Sequence, residues 1–189
     1  MSIVITGFEL PSGSDAVVAP GFGYRLYRAL DTDARFRYIT VGEREPEVPV
    51  GGDGVQTLSG RYEVHDVGDV AAPAFGAADG SAPIVFINAL VVEPGNEDAA
   101  FAVWKQVNEY MVVKPGYRSH RLHRRLQDDA PFGFVNVVEW ESLEAWDAAH
   151  DEGFRALTDP SRLPFRPVPT VCELIDDNHL QAAGRQVRS

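Results

Sequence analysis

Residues 25–44 of this 189-residue chain recur, without a gap, at residues 121–140. Nine of the twenty paired positions are identical (Arg25, Leu26, Arg28, Leu30, Asp33, Ala34, Phe36, Val41 and Glu43), each 96 residues ahead of its counterpart (121 − 25). Pro20-Gly21 also falls near Pro115-Gly116, one residue out of register. Chance seldom produces such a match in one stretch, so the chain is read as an internal duplication, two related units in tandem.

The second copy sits in the more readable half. Ile84 to Val92 is a buried-strand run stopped by Pro94-Gly95. Asn96 is an N-cap candidate, and Glu97 and Asp98 suit the positive end of a helix. Apolar residues then recur at helical spacing (Ala100, Phe101, Trp104, Val107, Met111) until Pro115-Gly116. Tyr117 to Leu126 reads as a strand carrying many polar residues, and Phe132 to Trp140 as a strand apolar on both faces, hence central. Ser142 caps a second helix whose inner stripe is Leu143, Trp146, His150, Gly153/Phe154 and Leu157. Pro-rich Asp159 to Pro169 leads to a last strand, Thr170 to Ile175. That order is βαββαβ, the ferredoxin-like plan.

The first copy is eroded. Only nine residues separate its first strand, Ser2 to Leu10, from Pro20, too few for a long helix. Pro46 to Gly54 replaces the second helix with Pro and Gly, and a final strand survives as Leu58 to Val67. The expected fold class is α+β: tandem ferredoxin-like units, the N-terminal one eroded and mostly β, forming an intrachain pseudo-dimer. The expected division is residues 1–68 as a degenerate structural half and 69–83 as a linker. Residues 84–178 form the complete domain carrying the site, and 179–189 a polar tail.

Charge narrows the partners. With 17 Lys plus Arg against 28 Asp plus Glu, the net charge is −11. That field repels phosphate backbones and anionic lipid surfaces, so neither nucleic acid nor membrane is an expected partner. The lone cysteine, Cys172, excludes an internal disulfide framework and any Cys-rich metal site. The N-terminal Met1-Ser2-Ile3-Val4 has no basic region and no cleavage signature, and Ile84 to Val92 is about half the length of a membrane helix. The expected location is cytoplasmic.

The strongest local feature is Asn136-Val137-Val138-Glu139-Trp140-Glu141-Ser142. On a strand Asn136, Val138 and Trp140 share a face, with the ends roughly 13 Å apart. They are either core residues or hydrogen-bonding groups for a flat, oxygen-bearing ring system. The first copy has Thr40 and Arg44 there and has not kept the pair. His120 and His123, three apart on a strand, point to opposite faces and make a poor metal pair. His123 is either a strand histidine among Arg121, Arg124 and Arg125 or a proton shuttle titrating near neutrality. His150, on the apolar stripe with Trp146, is a core residue or a pocket wall. Trp104 is core or the pocket's roof. Gly51-Gly52-Asp53-Gly54 reads as a turn, and His65 and His179 carry no usable signal.

The right half resembles the antibiotic biosynthesis monooxygenase family, whose members are dimeric α/β-barrels. It is most similar to the cofactor-independent enzymes that oxidise anthrones to quinones in aromatic polyketide pathways. Those enzymes carry Pro-Gly-Phe, a His seven residues after that Gly, and an Asn-x-x-x-Trp-Glu-Ser strand end. An aromatic follows six residues after that Trp, and an Arg lies on the next helix. This chain has Pro115-Gly116-Tyr117, His123, Asn136-x-x-x-Trp140-Glu141-Ser142, Trp146 and Arg155, in that order. The match covers about half the chain. It departs from the pattern in two places. Trp146 stands for a Tyr and lacks its hydroxyl. Arg155, nine residues beyond Trp146, lies nearly opposite it on an ideal helix unless Gly153 turns the chain. Haem-degrading relatives need an Asn on the first strand, which Asn88 supplies, and a Trp and a His at positions held here by Ala149 and Asp159. No axial histidine is offered there.

The resemblance implies a monooxygenase that uses O2 and no cofactor on an aromatic polyketide. Asn136 and Trp140 would hold substrate oxygens, His123 would move the proton and Arg155 would assist. Trp104, Trp146, His150 and Asn88 would line the pocket. The duplication keeps a second reading open, oxidative ring opening of angucycline-type polyketides with reduced flavin or a hydroquinone. A non-oxidative polyketide cyclase and a ligand-binding protein are further alternatives. Outer faces of the two units leave room for a homodimer.

Overall fold

A computed structural model describes residues 2–11, 23–46, 54–69 and 82–177. The chain runs β1 (Ser2–Glu9), β2 (Tyr24–Ala29), β3 (Tyr38–Gly42), β4 (Gln56–Asp69), β5 (Ile84–Val91), α1 (Glu97–Met111), β6 (Tyr117–Arg125), β7 (Phe134–Trp140), α2 (Leu143–Ala149), α3 (Glu152–Leu157) and β8 (Arg166–Asp177). Pro20-Gly21, Gly51-Gly52-Asp53, most of the expected linker and the tail with His179 lie outside the described residues. No described helix is long and apolar enough to cross a membrane.

Contacts divide the chain into two compact units. One holds residues 1–63, 125–131 and 170–189; the other holds 64–124 and 132–169. In the first, β1 pairs antiparallel with both β3 and β4, β3 with β2, and β2 with the end of β8 from Cys172 on. Phe8, Tyr24, Leu26 and Tyr38 form its core cluster, with Leu10 and Val55 packed against them.

The second unit contains β5, α1, β6, β7, α2 and α3 and the opening residues of β8, the expected βαββαβ order. β7 lies between β5 and β6, antiparallel to each, which is why both of its faces are apolar. Leu90, Leu122 and Phe134 are fully buried in a cluster with Val92, Ala100 and Trp104. Burying each such large side chain contributes about 1.5–3 kcal/mol.

Strand register repeats at the interval seen in the sequence. Leu26 pairs with Thr40 and Arg28 with Tyr38; 96 residues on, Leu122 pairs with Asn136 and Arg124 with Phe134. The matching residues thus occupy matching ladder positions in the two units.

The local elements depart from expectation in three ways. Asn96 occupies the N-cap position of α1 but its side chain makes no capping bond; Glu97 instead accepts from the Gly95 amide at 2.8 Å. The second helix is two short ones. His150 leaves the helical region (φ −84°, ψ 46°), and the Asp151 carboxylate, on extended backbone, accepts from the Phe154 amide to start α3. This break leaves Leu143 and Leu157 exposed, so the inner stripe shrinks to Trp146, His150 and Phe154. Ser142 does cap α2, accepting from the Ala145 amide at 3.1 Å. β8 begins at Arg166, earlier than the expected Thr170, with Pro167 and Pro169 inside it.

Candidate functional site

A cavity of about 340 Å³ lies within the second unit. That is within the range of small-molecule sites, roughly 300–1,000 Å³. Its floor follows from strand alternation and register. Phe86, Asn88 and Leu90 on β5 share a face, as do Asn136, Val138 and Trp140 on β7, and the ladder sets Asn88 opposite Asn136. On α1, Trp104, Val107, Asn108 and Met111 form one helical stripe over that face.

Aromatic rings make one side. Trp146, His150 and Phe154 follow at intervals of four residues, with successive ring centroids 4.3 Å apart. Phe86 meets Trp146 at 5.5 Å. His150 donates from Nδ1 to the Trp146 carbonyl at 2.6 Å, and burial lowers its pKa, so the ring is neutral at neutral pH. Asp151 ties this side to α1: its carboxylate accepts from Tyr110 at 2.7 Å and Lys114 at 2.8 Å. Those two partners hold the Asp151 pKa far below the usual carboxylate range.

Four polar atoms on the cavity wall are buried without a partner: Asn88 Oδ1, Asn136 Oδ1, Trp140 Nε1 and Trp146 Nε1. An orphaned buried polar atom costs about 1–3 kcal/mol. Native interiors hold only a few per hundred residues. Four in one chamber of aromatic and aliphatic walls offer hydrogen bonds to a ligand that is mostly apolar and carries a few oxygens.

Of the residues singled out in the sequence, Asn88, Trp104, Asn136, Trp140, Trp146 and His150 line this cavity. His123 and Arg155 do not. Register explains His123: it pairs with Val135, on the β7 face opposite Asn136, and its Nδ1 meets the Val135 carbonyl at 3.1 Å. Burial lowers its pKa to about 4, which keeps it uncharged. Arg155 is exposed on α3, since the chain turns at His150-Asp151, ahead of Gly153, and leaves the arginine outward.

Sequence reasoning missed Phe86, Asn108, Tyr117 and the wall from Phe165 to Pro169. Phe86 is two residues before Asn88 on the same strand face, and Asn108 four after Trp104 on the same helix face, so spacing alone could have found both. The Pro-rich wall carries no comparable periodic signal. Among the described residues no group of three or more His, Cys, Asp or Glu side chains has metal-binding geometry.

Residues 83–155 match the antibiotic biosynthesis monooxygenase family. No curated protein matches the chain. An anthrone oxidase-like protein of known structure is 13% identical over 93% of this chain and 91% of its own, with a TM-score of 0.62; it shares the fold. A candidate monooxygenase from Shewanella loihica PV-4 is 27% identical over 51% of this chain and 98% of its own, at a TM-score of 0.46. SnoaB, a cofactor-independent oxygenase from Streptomyces nogalater, is 21% identical over 48% of this chain and 91% of its own, at a TM-score of 0.42.

Proposed function

We propose, from the premise that residues 83–155 carry an antibiotic biosynthesis monooxygenase domain, that the chain oxidises a polycyclic aromatic phenol or anthrone to a quinone with O2 and no cofactor. One observation carries the reading: four partnerless buried polar atoms, two amide oxygens and two indole N–H groups, all belong to residues that line a single aromatic-walled chamber. All four belong to the segment that matches the family.

The chemistry asks little covalent work of the protein. Loss of a proton makes an anthrone an electron-rich enolate, which passes one electron to O2. The radical pair joins at carbon, the peroxide takes up a proton, and loss of water leaves the quinone carbonyl. Trp140 and Trp146 donate to substrate oxygens, which favours the anion. Asn88 and Asn136 accept from its hydroxyls. Trp104 and the rings of Phe86, His150 and Phe154 enclose the flat skeleton and keep bulk water away.

The repeated register supports reading the first unit as a degenerate second copy, so that residues 1–68 serve a structural role beside the domain at 84–178 in an intrachain pseudo-dimer. Duplication also favours a second reading, oxidative ring opening of an angucycline-type polyketide with reduced flavin or a hydroquinone. Oxygen uptake by the purified protein with 1,8-dihydroxyanthrone tests the first reading. Quinone formed with one O2 per substrate and no added reductant supports it. Uptake only with reduced flavin supports the second. Conversion without oxygen, or binding without turnover, removes both in favour of a cyclase or a carrier.

A further inference from the structure

Beside the cavity lies a chain of polar contacts that the proposed chemistry has not used. Tyr117 and Asn108 form part of the wall. The Tyr117 hydroxyl meets His120 Nδ1 at 2.6 Å, and His120 Nε2 meets the Asp66 carboxylate at 2.8 Å. Asn108 completes the group, with Oδ1 3.3 Å from the hydroxyl and Nδ2 3.4 Å from His120 Nε2. His120 is 5% exposed and Asp66, from β4, 39%. Trp104 covers the imidazole edge-on at 5.5 Å, and a Cβ on Gly68 would collide with the ring.

The protons can be placed. A carboxylate only accepts, so His120 Nε2 carries the hydrogen and donates to Asp66. Nδ1 is then the ring's lone pair, and the hydroxyl donates to it. Burial and the charges of Asp66 and Asp69 push the Tyr117 pKa well up, which keeps the phenol neutral and a donor. The two shorter contacts define this direction; with the hydroxyl hydrogen on the His120 side and Nε2 protonated, the two longer contacts to Asn108 are packing contacts and not hydrogen bonds.

We propose that Tyr117, His120 and Asp66 form a proton relay that removes the substrate proton at the cavity wall. The Tyr117 oxygen accepts the proton from substrate as its own hydrogen passes to His120 Nδ1. The resulting imidazolium is held by Asp66, and the substrate keeps the electron pair as an enolate. The geometry is that of a nucleophile–His–Asp triad with a tyrosine hydroxyl at its head. The charge that faces His120 is Asp66 from β4, and Asp69 of the same strand acts on Tyr117; Tyr117 on its own strand and Asn108 from α1 are neutral. For its substrate the relay rests on the oxygenase reading; for its geometry it does not.

Two measurements test it separately. With 1,8-dihydroxyanthrone as probe, Tyr117→Phe lowers kcat by about 10²-fold with KM little changed, the range of lost general-base catalysis. Asp66→Asn lowers kcat less, and His120→Gln lowers it as far as Tyr117→Phe with KM little changed, with circular dichroism confirming the fold. Full kcat in Tyr117→Phe overturns the relay and leaves the oxygenase reading standing. Nitrogen-15 NMR of the histidine rings, with His120 assigned from the His120→Gln spectrum, reads the tautomer directly. A proton on Nε2 is expected, and one on Nδ1 overturns the relay. If the wild type turns over no anthrone while His120 shows the Nε2 tautomer and Tyr117→Phe shifts its signals, the oxygenase reading falls and the relay stands.

Discussion

Asn88 and Asn136 are direct cross-strand partners on β5 and β7, and each leaves its amide oxygen buried without a hydrogen-bond partner. Two adjacent amides could have satisfied one another across an antiparallel pair. They hold unpaired oxygens at the cavity instead, a cost the fold bears and a ligand would remove.

Asn136→Leu therefore raises stability while weakening binding. The variant keeps the γ-branched shape, enters space beside the cavity with its larger methyl groups, and deletes an orphaned buried group, a gain of about 1–3 kcal/mol. Calorimetry should show a higher Tm, and tryptophan-quenching titration with 1,8-dihydroxyanthraquinone a tenfold or greater loss of affinity. A lower Tm with unchanged affinity assigns Asn136 to packing alone.

Trp140→Phe keeps an aromatic ring at a 1% exposed position and removes the indole N–H together with part of the bicyclic ring. Deleting one donor to a developing oxyanion commonly costs on the order of 10²–10³ in rate. Steady-state turnover of an anthrone should fall by at least tenfold with the far-ultraviolet spectrum unchanged. Wild-type turnover removes Trp140 from the site.

His123 gives the protein an acid-side instability. Its folded pKa of about 4 lies below the ordinary value of 6.5, so the unfolded chain binds the proton more readily. Stability is full above pH 6.5, falls by up to about 1.4 kcal/mol per pH unit below it, and levels off for this group near pH 4. Burial of His150 adds a slope of the same sign. Urea denaturation from pH 7 to 4 should show a shallower decline in His123→Gln, which keeps a donor for the Val135 carbonyl. An unchanged slope rejects the assignment.

Gly153→Ala disturbs the aromatic wall from outside. A Cβ there would strike the Tyr110 hydroxyl that donates to Asp151. Losing that contact loosens the cap of α3, and with it Phe154, a cavity residue. Ligand affinity should fall several-fold by the same quenching titration, with a smaller effect in Gly153→Ala/Tyr110→Phe, where the obstructing oxygen is gone.

Cys172 is fully buried, and burial pushes its thiol pKa up to about 12. It should resist iodoacetamide at pH 8 in the native protein and react at the rate of unfolding in denaturant. Rapid native labelling contradicts its burial.

The periodic parts of this molecule were legible from residues alone. The βαββαβ order, a central β7 and the ladder positions repeated at an interval of 96 rest on short-range patterns, because alternation and helical spacing reflect which side of an element meets water. Asn88, Trp104, Asn136, Trp140, Trp146 and His150 followed from the same patterns and a family likeness. The break at His150-Asp151 did not, since Asp151 there reaches Tyr110 on another helix and Lys114 just past that helix's end.

The choice between His120 and His123 marks where local reading ends. Their spacing says only that they face opposite ways. Register says which way: Leu122 opposite Asn136 turns His123 from the cavity and leaves His120 beside Tyr117. Pairing register is a long-range property, decided by side chains on separate strands, and no window of sequence contains it. Asp66, 54 residues from His120, reaches the ring only because the folded chain brings β4 there.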